Sequence, residues 1–246
     1  MIKINKFETE AEAGRAAAEA GANAIRAAIH NRGEASIIVA TGASQFRMLE
    51  ALIRQPDIAW NRINVFHLDE YIGIPITHPA SFRRYLWERF HSKLPVPVKT
   101  FHYIDTENDP EAECRRLSEL IKTVSIDVCF CGIGENAHLA FNDPPADFET
   151  DSAYILVKLD DACRQQQLGE GWFPALNDVP EKAISMSIQQ MLKSEKIICT
   201  IPGKQKAVAV DNTLSSEISP QIPATILKTH RDATFYLDRH SASLLK

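Results

Sequence analysis

The stretch from residue 126 to residue 145, IDVCFCGIGENAHLAFNDPP, constrains the fold more than any other part of this sequence. Residues 128–131, VCFC, are apolar without polar alternation, which is typical of a strand buried on both faces. Two glycines and a series of hydrogen-bonding side chains follow, and Pro144-Pro145 then ends any regular structure. Because open α/β sheets bind ligands at the carboxyl ends of such strands, we interpret this stretch as half of an active site.

Predicted strands and helices alternate along the rest of the chain. The strands are expected at 36–40, 64–68, 100–105, 153–159, 184–187, 196–201 and 234–237. The helices and helical turns are expected at 8–30, 45–54, 79–93, 110–124, 160–167, 189–194, 207–213 and 224–228. This alternation favours a mainly parallel sheet with helices on both faces. With no linker or repeat in sight, we predict a single domain over residues 1–246, with a Rossmann-like, three-layer α/β/α fold.

Charge and cysteine usage exclude several classes of function. The 27 Lys and Arg against 32 Asp and Glu give a net charge of −5, and no run of five or more basic residues is present, so a nucleic-acid partner is not expected. The N-terminus lacks the apolar segment of a signal peptide. No apolar segment approaches the length of a transmembrane helix, so we do not expect a membrane partner. Five cysteines without a C-x-x-C pair fit a reducing, cytoplasmic setting, and Cys129 and Cys131 share one strand face as core residues.

Polar side chains follow four of the predicted strands, at 41–44, 69–70, 136–143 and 204–206. Because parallel strands end at the same edge of a sheet, we expect these clusters to meet. The turn at 41–44, TGAS, precedes a predicted helix and could hold an anion on backbone N–H groups. The alternative for this turn is an ordinary strand-to-helix connection in which Ser44 caps the helix.

The adjacent acids Asp69 and Glu70 lie on opposite sides of a pleat, so at most one of them can face a shared cleft. Asp69 lies on the side of His67 and Tyr71, which could equally be packing residues. A carboxylate beside a carbon acidified by a carbonyl suits enolisation, and His138 suits proton transfer near neutral pH. These features indicate an enzyme acting on a sugar phosphate.

A metal site is the competing interpretation of the same side chains. His67, Asp69, His138 and Asp143 could in principle form a carboxylate–imidazole site. However, the sequence contains neither an H-x-x-x-H nor an H-E-x-x-H spacing. We therefore predict no metal and no cofactor.

Three segments resemble one family. Residues 132–144, GIGENAHLAFNDP, closely resemble the signature G-x-G-x-D-G-H-I-A-F-N-E-P of the glucosamine-6-phosphate deaminase (isomerase) family. Residues 66–73, FHLDEYIG, are similar to its F-N-M-D-E-Y-x-G, and residues 40–44, ATGAS, to its P-T-G-x-T turn. The sister family of 6-phosphogluconolactonases shares the G-x-G-x-D-G-H part but lacks the A-F-N-E-P continuation.

The resemblance implies a metal-free aldose–ketose isomerisation with deamination, which converts glucosamine 6-phosphate and water to fructose 6-phosphate and ammonia. It implies that His138 helps to open the sugar ring, and that Asp69 takes the C2 proton and returns it at C1. Asn136 and Asp143 occupy the positions that assist the histidine. The residues that the resemblance assigns to the phosphate are Thr41, Gly42, Ala43, Ser44 and Lys206.

The sequence departs from the family pattern at three positions. Asn136 stands where the family has an aspartate, and Asp143 is one methylene shorter than the family's glutamate. An asparagine at this position could orient the imidazole through its carbonyl oxygen, but it brings no negative charge. The family's phosphate-binding arginine has no clean match: without a gap its position falls near Glu170, and Arg164 is our substitute for it.

Several alternatives remain at this point. The chain could be a galactosamine-6-phosphate-specific deaminase, or a 6-phosphogluconolactonase-type hydrolase. It could also be a non-catalytic sugar-phosphate sensor, which the break in the relay at Asn136 suggests. The expected partner in every case is a small-molecule sugar phosphate. A homo-oligomer is a further possibility, suggested by the aromatic side chains of residues 79–93.

Overall fold

The structure, a computed structural model, describes residues 2–245 and is built on a seven-stranded sheet in the order β1-β10-β9-β6-β2-β3-β5. Every neighbouring pair in this sheet is parallel. Its strands are β1 (Lys3–Phe7), β2 (Ala35–Val39), β3 (Ile63–His67), β5 (Thr100–His102), β6 (Val128–Cys131), β9 (Lys196–Ile201) and β10 (Ala233–Asp238). The helices are α1 (Glu10–Arg32), α2 (Phe46–Ile53), α3 (Phe82–Arg89), α4 (Pro110–Lys122), α5 (Asp161–Gly169), α6 (Ile188–Leu192) and α7 (Ala207–Ser215).

Helices cover both faces of this sheet, as predicted. On β6, Val128 and Phe130 pack in a cluster with residues of α1 and α2, while Cys129 and Cys131 pack in a second cluster with α4. All four side chains are fully buried, which explains why this strand has no polar alternation. The two cysteines therefore share a face, and they are core residues.

Local sequence signals set several helix ends correctly. Thr9 and Glu12 form a capping box at the start of α1. Asp109 caps α4, with Pro110 at its first position, as the sequence indicates. The predicted helix over 79–93 is shorter than expected: α3 ends at Arg89, and a 3₁₀ turn over His91–Lys93 follows. A 3₁₀ segment over Pro223–Thr229 replaces the last predicted helix.

A second sheet was not anticipated from the alternating pattern. Its three strands, β4 (Asp69–Tyr71), β8 (Lys182–Met186) and β7 (Tyr154–Lys158), are antiparallel in the order β4-β8-β7. The chain leaves the large sheet after His67, and Leu68 O accepts a hydrogen bond from Met186 N at 2.6 Å. Asp69 therefore belongs to a strand outside the parallel sheet. The first strand, β1, was also missed, because its residues are mostly exposed.

The order of the strands defines where a ligand can bind. The chain runs outward from β2 through β3 to β5, and it returns to β6 on the other side of β2. This reversal leaves a crevice between the carboxyl ends of β2 and β6, the usual ligand position in open α/β sheets. Within residues 2–245, no helix is both long enough and apolar enough to span a membrane.

Candidate active site

A pocket lies in the crevice beyond β2 and β6. Six of the ten predicted site residues line it: Thr41, Gly42, Ser44, Asp69, His138 and Lys206. The other lining residues are Ala40, Gln45, Leu68, Phe82, Gly132, Ile133, Gly134, Ala140, Phe141, Gln166, Gln167 and Glu170. The predicted polar clusters at 41–44, 136–143 and 204–206 thus contribute residues to one pocket. The fourth cluster, at 69–70, contributes Asp69, which lies on β4.

Asp69 is a buried acid whose carboxylate accepts few hydrogen bonds. Its side chain is 6% exposed, and the Thr41 hydroxyl donates a long hydrogen bond to Asp69 Oδ1 at 3.4 Å. Burial, together with the neighbouring carboxylate of Glu70, raises the pKa of Asp69 to about 8. A carboxylate with a pKa near the working pH can take up and return a proton, so Asp69 is suited to act as a general base.

Glu70 and His67, the neighbours of Asp69, have structural roles. Glu70 points away from the pocket and forms an ion pair with Arg83, with 3.2 Å between Oε2 and Nε. His67 Nδ1 lies 3.0 Å from Asp69 O, and Ile104 N donates to His67 Nε2 at 2.9 Å. Burial lowers the pKa of His67 to about 3, so this imidazole is neutral. Because both of its nitrogens are engaged, His67 is not free to join a metal site.

The loop after β6 folds back so that His138 packs against the backbone of Gly134. Gly134 N donates to His138 O at 3.0 Å, and the imidazole packs onto Gly134, where an added Cβ would come within 2.3 Å of the ring. Ala137 and Ala140 adopt left-handed backbone angles on either side of the histidine, with φ of 64° and 50°. Such conformations are uncommon for residues with a Cβ and concentrate at functional sites.

Asp143 lies behind His138. Asp143 Oδ1 is 2.9 Å from His138 Nδ1, although the approach is poorly aligned for a hydrogen bond. Asp160 N donates to the other carboxylate oxygen at 3.2 Å. Burial favours the neutral acid, but the hydrogen bonds and the charge of His138 outweigh it, and the pKa of Asp143 is lowered. Asp143 is therefore an anion beside the imidazole.

Asn136 does not hold the imidazole in the way that the sequence suggested. Its carbonyl oxygen accepts from the backbone N–H of His138 at 3.1 Å, and its amide nitrogen donates to Asp143 Oδ1 at 3.2 Å. The side chain thus links the backbone of His138 to the carboxylate of Asp143. Asn136 positions Asp143, and an aspartate there would lose this donor.

Cys163 adds a third side chain of a type that can ligate a metal to the pair of His138 and Asp143. One ligand atom each of His138, Asp143 and Cys163 lie within 4.8 Å of one another, a donor set that soft divalent metals accept. Burial and the nearby carboxylate of Asp143 raise the pKa of the Cys163 thiol. A protonated thiol donates weakly to a carboxylate, so the thiol of Cys163 can act as a weak donor to Asp143.

The other end of the pocket is suited to an anion. Gly42 after β2 and Gly203 after β9 have φ of 87° and 95°, and each precedes a 3₁₀ turn that leads into a helix. Lys206 in the second turn is only 3% exposed, and no hydrogen bond or ion pair satisfies its ammonium within residues 2–245. Burial lowers its pKa. A buried cation without a protein partner indicates a site for a negatively charged group.

The expectation for Arg164 is not supported. Its guanidinium donates to Leu176 O at 2.9 Å and to Val179 O at 3.1 Å, and the side chain does not line the pocket. Ala43 lies in the turn beside Gly42 but is also outside the lining.

Residues that the sequence analysis did not assign complete the pocket. α5 carries Gln166 and Gln167 across it, and Glu170 follows that helix. Gln45 Nε2 donates to Cys131 O and Thr200 O, which joins the ends of β6 and β9. The run of three glutamines at 165–167 was the only local signal for Gln166 and Gln167, and it is a weak one because polar residues on a helix are usually solvated. Glu170 was marked only as the place where the family's phosphate-binding arginine falls.

Comparisons with known proteins agree with this architecture. The sequence matches the family described as "Glucosamine-6-phosphate isomerases/6-phosphogluconolactonase" over residues 8–236. It is 34% identical to glucosamine-6-phosphate deaminase 1 of Bacillus subtilis, over 99% of both chains. It is 32% identical to the glucosamine-6-phosphate deaminase of Clostridium acetobutylicum, over 84% of this chain and 86% of that protein.

Solved structures show the same fold. A monomeric glucosamine-6-phosphate deaminase superposes with a TM-score of 0.91 and 32% identity, over 99% of this chain and 100% of that one. A 6-phosphogluconolactonase from Trypanosoma brucei superposes with a TM-score of 0.80 but only 16% identity, which is evidence of a shared fold alone. From the family match and the full-length relatives, we conclude that the chain belongs to the glucosamine-6-phosphate isomerase/6-phosphogluconolactonase family.

Proposed function

We propose that this protein is a glucosamine-6-phosphate deaminase, which converts glucosamine 6-phosphate and water to fructose 6-phosphate and ammonia. The observation that carries the proposal is that the carboxylate of Asp69 and the imidazole of His138 face the same pocket, on a chain whose full-length relatives carry this name. A base and a second proton-transfer group in one pocket are what an aldose–ketose isomerisation needs.

Each proton transfer has a candidate residue. His138, with the anionic Asp143 behind it, moves the proton that opens the sugar ring. Asp69 then removes the C2 proton and delivers it to C1 of the enolamine, and loss of ammonia follows hydrolysis of the resulting imine. The raised pKa of Asp69 supports this role, because the protonated acid persists long enough to return its proton.

The phosphate binds at the other end of the pocket in this proposal. Lys206 offers an ammonium without a protein partner, and the turn from Thr41 to Ser44 presents hydroxyl and backbone N–H groups at the start of a helical segment. These groups would also fix the register of the sugar, which places C1 and C2 near Asp69.

Ammonia release by the purified protein tests the function. The assay compares glucosamine 6-phosphate with galactosamine 6-phosphate, and the variant Asp69→Asn serves as the control for contaminating deaminase. We expect ammonia and fructose 6-phosphate in equal amounts from the gluco substrate. Release from neither substrate would refute the proposal, and release only from the galacto substrate would reassign the epimer.

The lactonase alternative has less support. The 6-phosphogluconolactonases among the solved structures are 14–20% identical, which supports a shared fold and no shared activity. A lactonase also has no use for a carbon base at Asp69. We further infer a cytoplasmic setting, since all five cysteines are free and buried thiols.

A further inference from the structure

Gln167 is a buried amide that lines the pocket and has no role in the proposed proton transfers. It lies on α5, and its side chain is 5% exposed. Its Oε1 accepts a hydrogen bond from the Tyr71 hydroxyl at 2.6 Å. Within residues 2–245, no protein group accepts a hydrogen bond from its Nε2, and this nitrogen is not sealed off from solvent. One half of the amide is thus bound to the protein, and the other half faces the pocket.

The surroundings of Tyr71 determine which half of the amide faces the pocket. The ring of Tyr71 is fully buried among three aromatic rings, with centroid separations of 4.9 Å to Phe82, 5.2 Å to Phe141 and 5.4 Å to Phe173. Among the described residues, the amide oxygen is the one acceptor that the Tyr71 hydroxyl reaches. Burial raises the pKa of Tyr71 well above its ordinary value, so the phenol keeps its proton and donates. Turning the amide over would place an N–H₂ group against this donor, so Nε2 stays on the pocket side.

The other two glutamines of the pocket are engaged by the protein. Gln45 Nε2 donates to two backbone carbonyl groups at 3.3 and 3.4 Å. Gln166 Nε2 donates to Glu170 Oε1 at 2.9 Å. Of the three glutamines that line the pocket, Gln167 is therefore the one whose amide N–H₂ is available to a ligand, as judged over residues 2–245.

The proposed substrate has oxygens that match this donor. In the proposed reaction, Asp69 acts on the protons of C1 and C2, and His138 acts at the ring oxygen. Lys206 and the turn at 41–44 bind the phosphate. The oxygens at C1, C3 and C4 are left without an assigned partner, and an amide N–H₂ can donate to any of them. Because an unpaired buried donor costs free energy, a sugar that supplies the acceptor is favoured over one that does not.

We propose that Gln167 is a specificity-determining residue that recognises the sugar: its Nε2 donates to one of these three oxygens, while Tyr71 holds the amide in position. The inference rests on the proposed function, because it concerns the substrate of that same site. The phosphate is bound through its charge, whereas Gln167 recognises the uncharged, hydroxylated part of the molecule. Phosphate esters that lack the hydroxyl leave Nε2 without an acceptor and bind more weakly.

Calorimetric titration with sorbitol 6-phosphate tests the inference, because this open-chain sugar phosphate has no carbonyl group and cannot isomerise. The variant Gln167→Met keeps the length of the side chain but removes the donor, and we expect it to weaken the binding of sorbitol 6-phosphate about tenfold. Binding of inorganic phosphate should change less than twofold. Gln165→Met is the matched control, since Gln165 is an exposed residue of the same helix that does not line the pocket. It should change neither Kd by more than twofold.

Tyr71→Phe tests the positioning role separately. This variant keeps the aromatic ring and removes only the hydroxyl that orients the amide, so sorbitol 6-phosphate should bind about threefold more weakly. In the Gln167→Met background, the same change should cause no further loss, because Tyr71 acts through Gln167. An additive loss in the double variant would refute the role given to Tyr71.

Deoxy analogues of sorbitol 6-phosphate identify the oxygen that Gln167 contacts. For the unchanged protein, one of the 1-deoxy, 3-deoxy and 4-deoxy analogues should bind about tenfold more weakly than the parent, and this difference should disappear in Gln167→Met. The inference would be overturned by equal losses for sorbitol 6-phosphate and inorganic phosphate in Gln167→Met, or by no loss for either. Deoxy differences that persist in the variant would also overturn it, as would no binding of sorbitol 6-phosphate by the unchanged protein.

The two proposals fail separately. Absence of ammonia from glucosamine 6-phosphate would refute the proposed function, whereas the titrations measure the effect of Gln167 on sugar-phosphate binding without any reaction.

Discussion

Two neighbouring acids on β4 show how differently this protein treats a buried carboxylate. Glu70 accepts hydrogen bonds from Ser81 Oγ at 2.8 Å, from the backbone N–H groups of Tyr71, Phe82 and Arg83 at 2.8–3.1 Å, and from Arg83 Nε at 3.2 Å. Asp69 accepts one, at 3.4 Å. Both side chains are at most 6% exposed.

The two side chains point to opposite faces of β4, and the structure that each face packs against differs. Glu70 points at the N-terminus of α3, where Ser81 is the cap and the N–H groups of the first turn need acceptors. Asp69 points into the crevice beyond β2 and β6, where, within residues 2–245, its one hydrogen bond comes from the Thr41 hydroxyl at 3.4 Å. Burial raises the pKa of both acids, but the donors around Glu70 and the charge of Arg83 counteract it there and stabilise the fold. Asp69, with a single long hydrogen bond, keeps its capacity to take up a proton.

Replacing each acid by its amide tests this comparison directly. We expect Asp69→Asn to lower kcat by about 10³-fold or more, because it removes the proposed base. The fold should keep its stability, or gain on the order of 2 kcal/mol at alkaline pH, since a poorly solvated charge is removed. Ammonia release and urea unfolding measure the two effects. A variant that retains a tenth of the activity would contradict the role of Asp69.

Glu70→Gln is the matched change on the other side of the strand. It should cost about 3 kcal/mol of unfolding free energy, because Arg83 loses its buried counter-charge and the new amide N–H₂ faces backbone donors. Urea unfolding at pH 7 measures this loss. At temperatures where the variant is folded, its kcat should stay within a few-fold of the unchanged protein. Full stability with lost activity would reverse the assignment of the two acids.

The pH dependence separates the two roles further. Because burial raises the pKa of Asp69 from its ordinary 3.8 to about 8, the ionised base accumulates only as the pH approaches 8. We expect kcat/KM to rise about tenfold per pH unit below that value and to level off above it. A profile that is flat from pH 6 to pH 9 would show that Asp69 is already ionised in this range.

The free energy of unfolding should change with pH in the opposite direction to kcat/KM. The folded protein retains a proton on Asp69 that the unfolded chain releases near pH 4, so the unfolding free energy should fall as the pH rises from about 4 to about 8. The contribution of Asp69 is the part of this slope that disappears in Asp69→Asn, as measured by urea unfolding across the same range. An identical slope in both proteins would argue against a raised pKa.

The smallest effect is expected from Thr41→Val, which removes the hydroxyl that donates to Asp69. Losing a 3.4 Å hydrogen bond should raise the pKa of Asp69 further and shift the rise in kcat/KM by roughly half a pH unit towards alkaline pH. The shape of the profile, rather than the maximal rate, is the readout, since Thr41 also lies in the proposed phosphate turn. A shift towards acid pH would show that the hydroxyl accepts from a protonated Asp69.

Much of the site was predictable because its signals are local. The buried strand before Gly132 and the cluster around His138 lie within twenty residues, and alternation of strands and helices places the carboxyl ends of parallel strands together. The pleat alone predicts that Asp69 and Glu70 diverge. It does not say which of them meets donors, because Ser81 and Arg83 reach Glu70 only after α3 has packed against β4.

The sequence by itself determined the class of fold, the strand before the active-site loop, and the pairing of a carboxylate with a histidine, since each depends on hydrophobic pattern and short motifs. Only the tertiary structure decided that β4 leaves the parallel sheet, that Asn136 holds Asp143 rather than the imidazole, and that Glu170 reaches the pocket while Arg164 turns away. Each of these outcomes depends on which element of the fold a side chain or strand contacts. Hydrophobic periodicity contains no information about such contacts between distant parts of the chain.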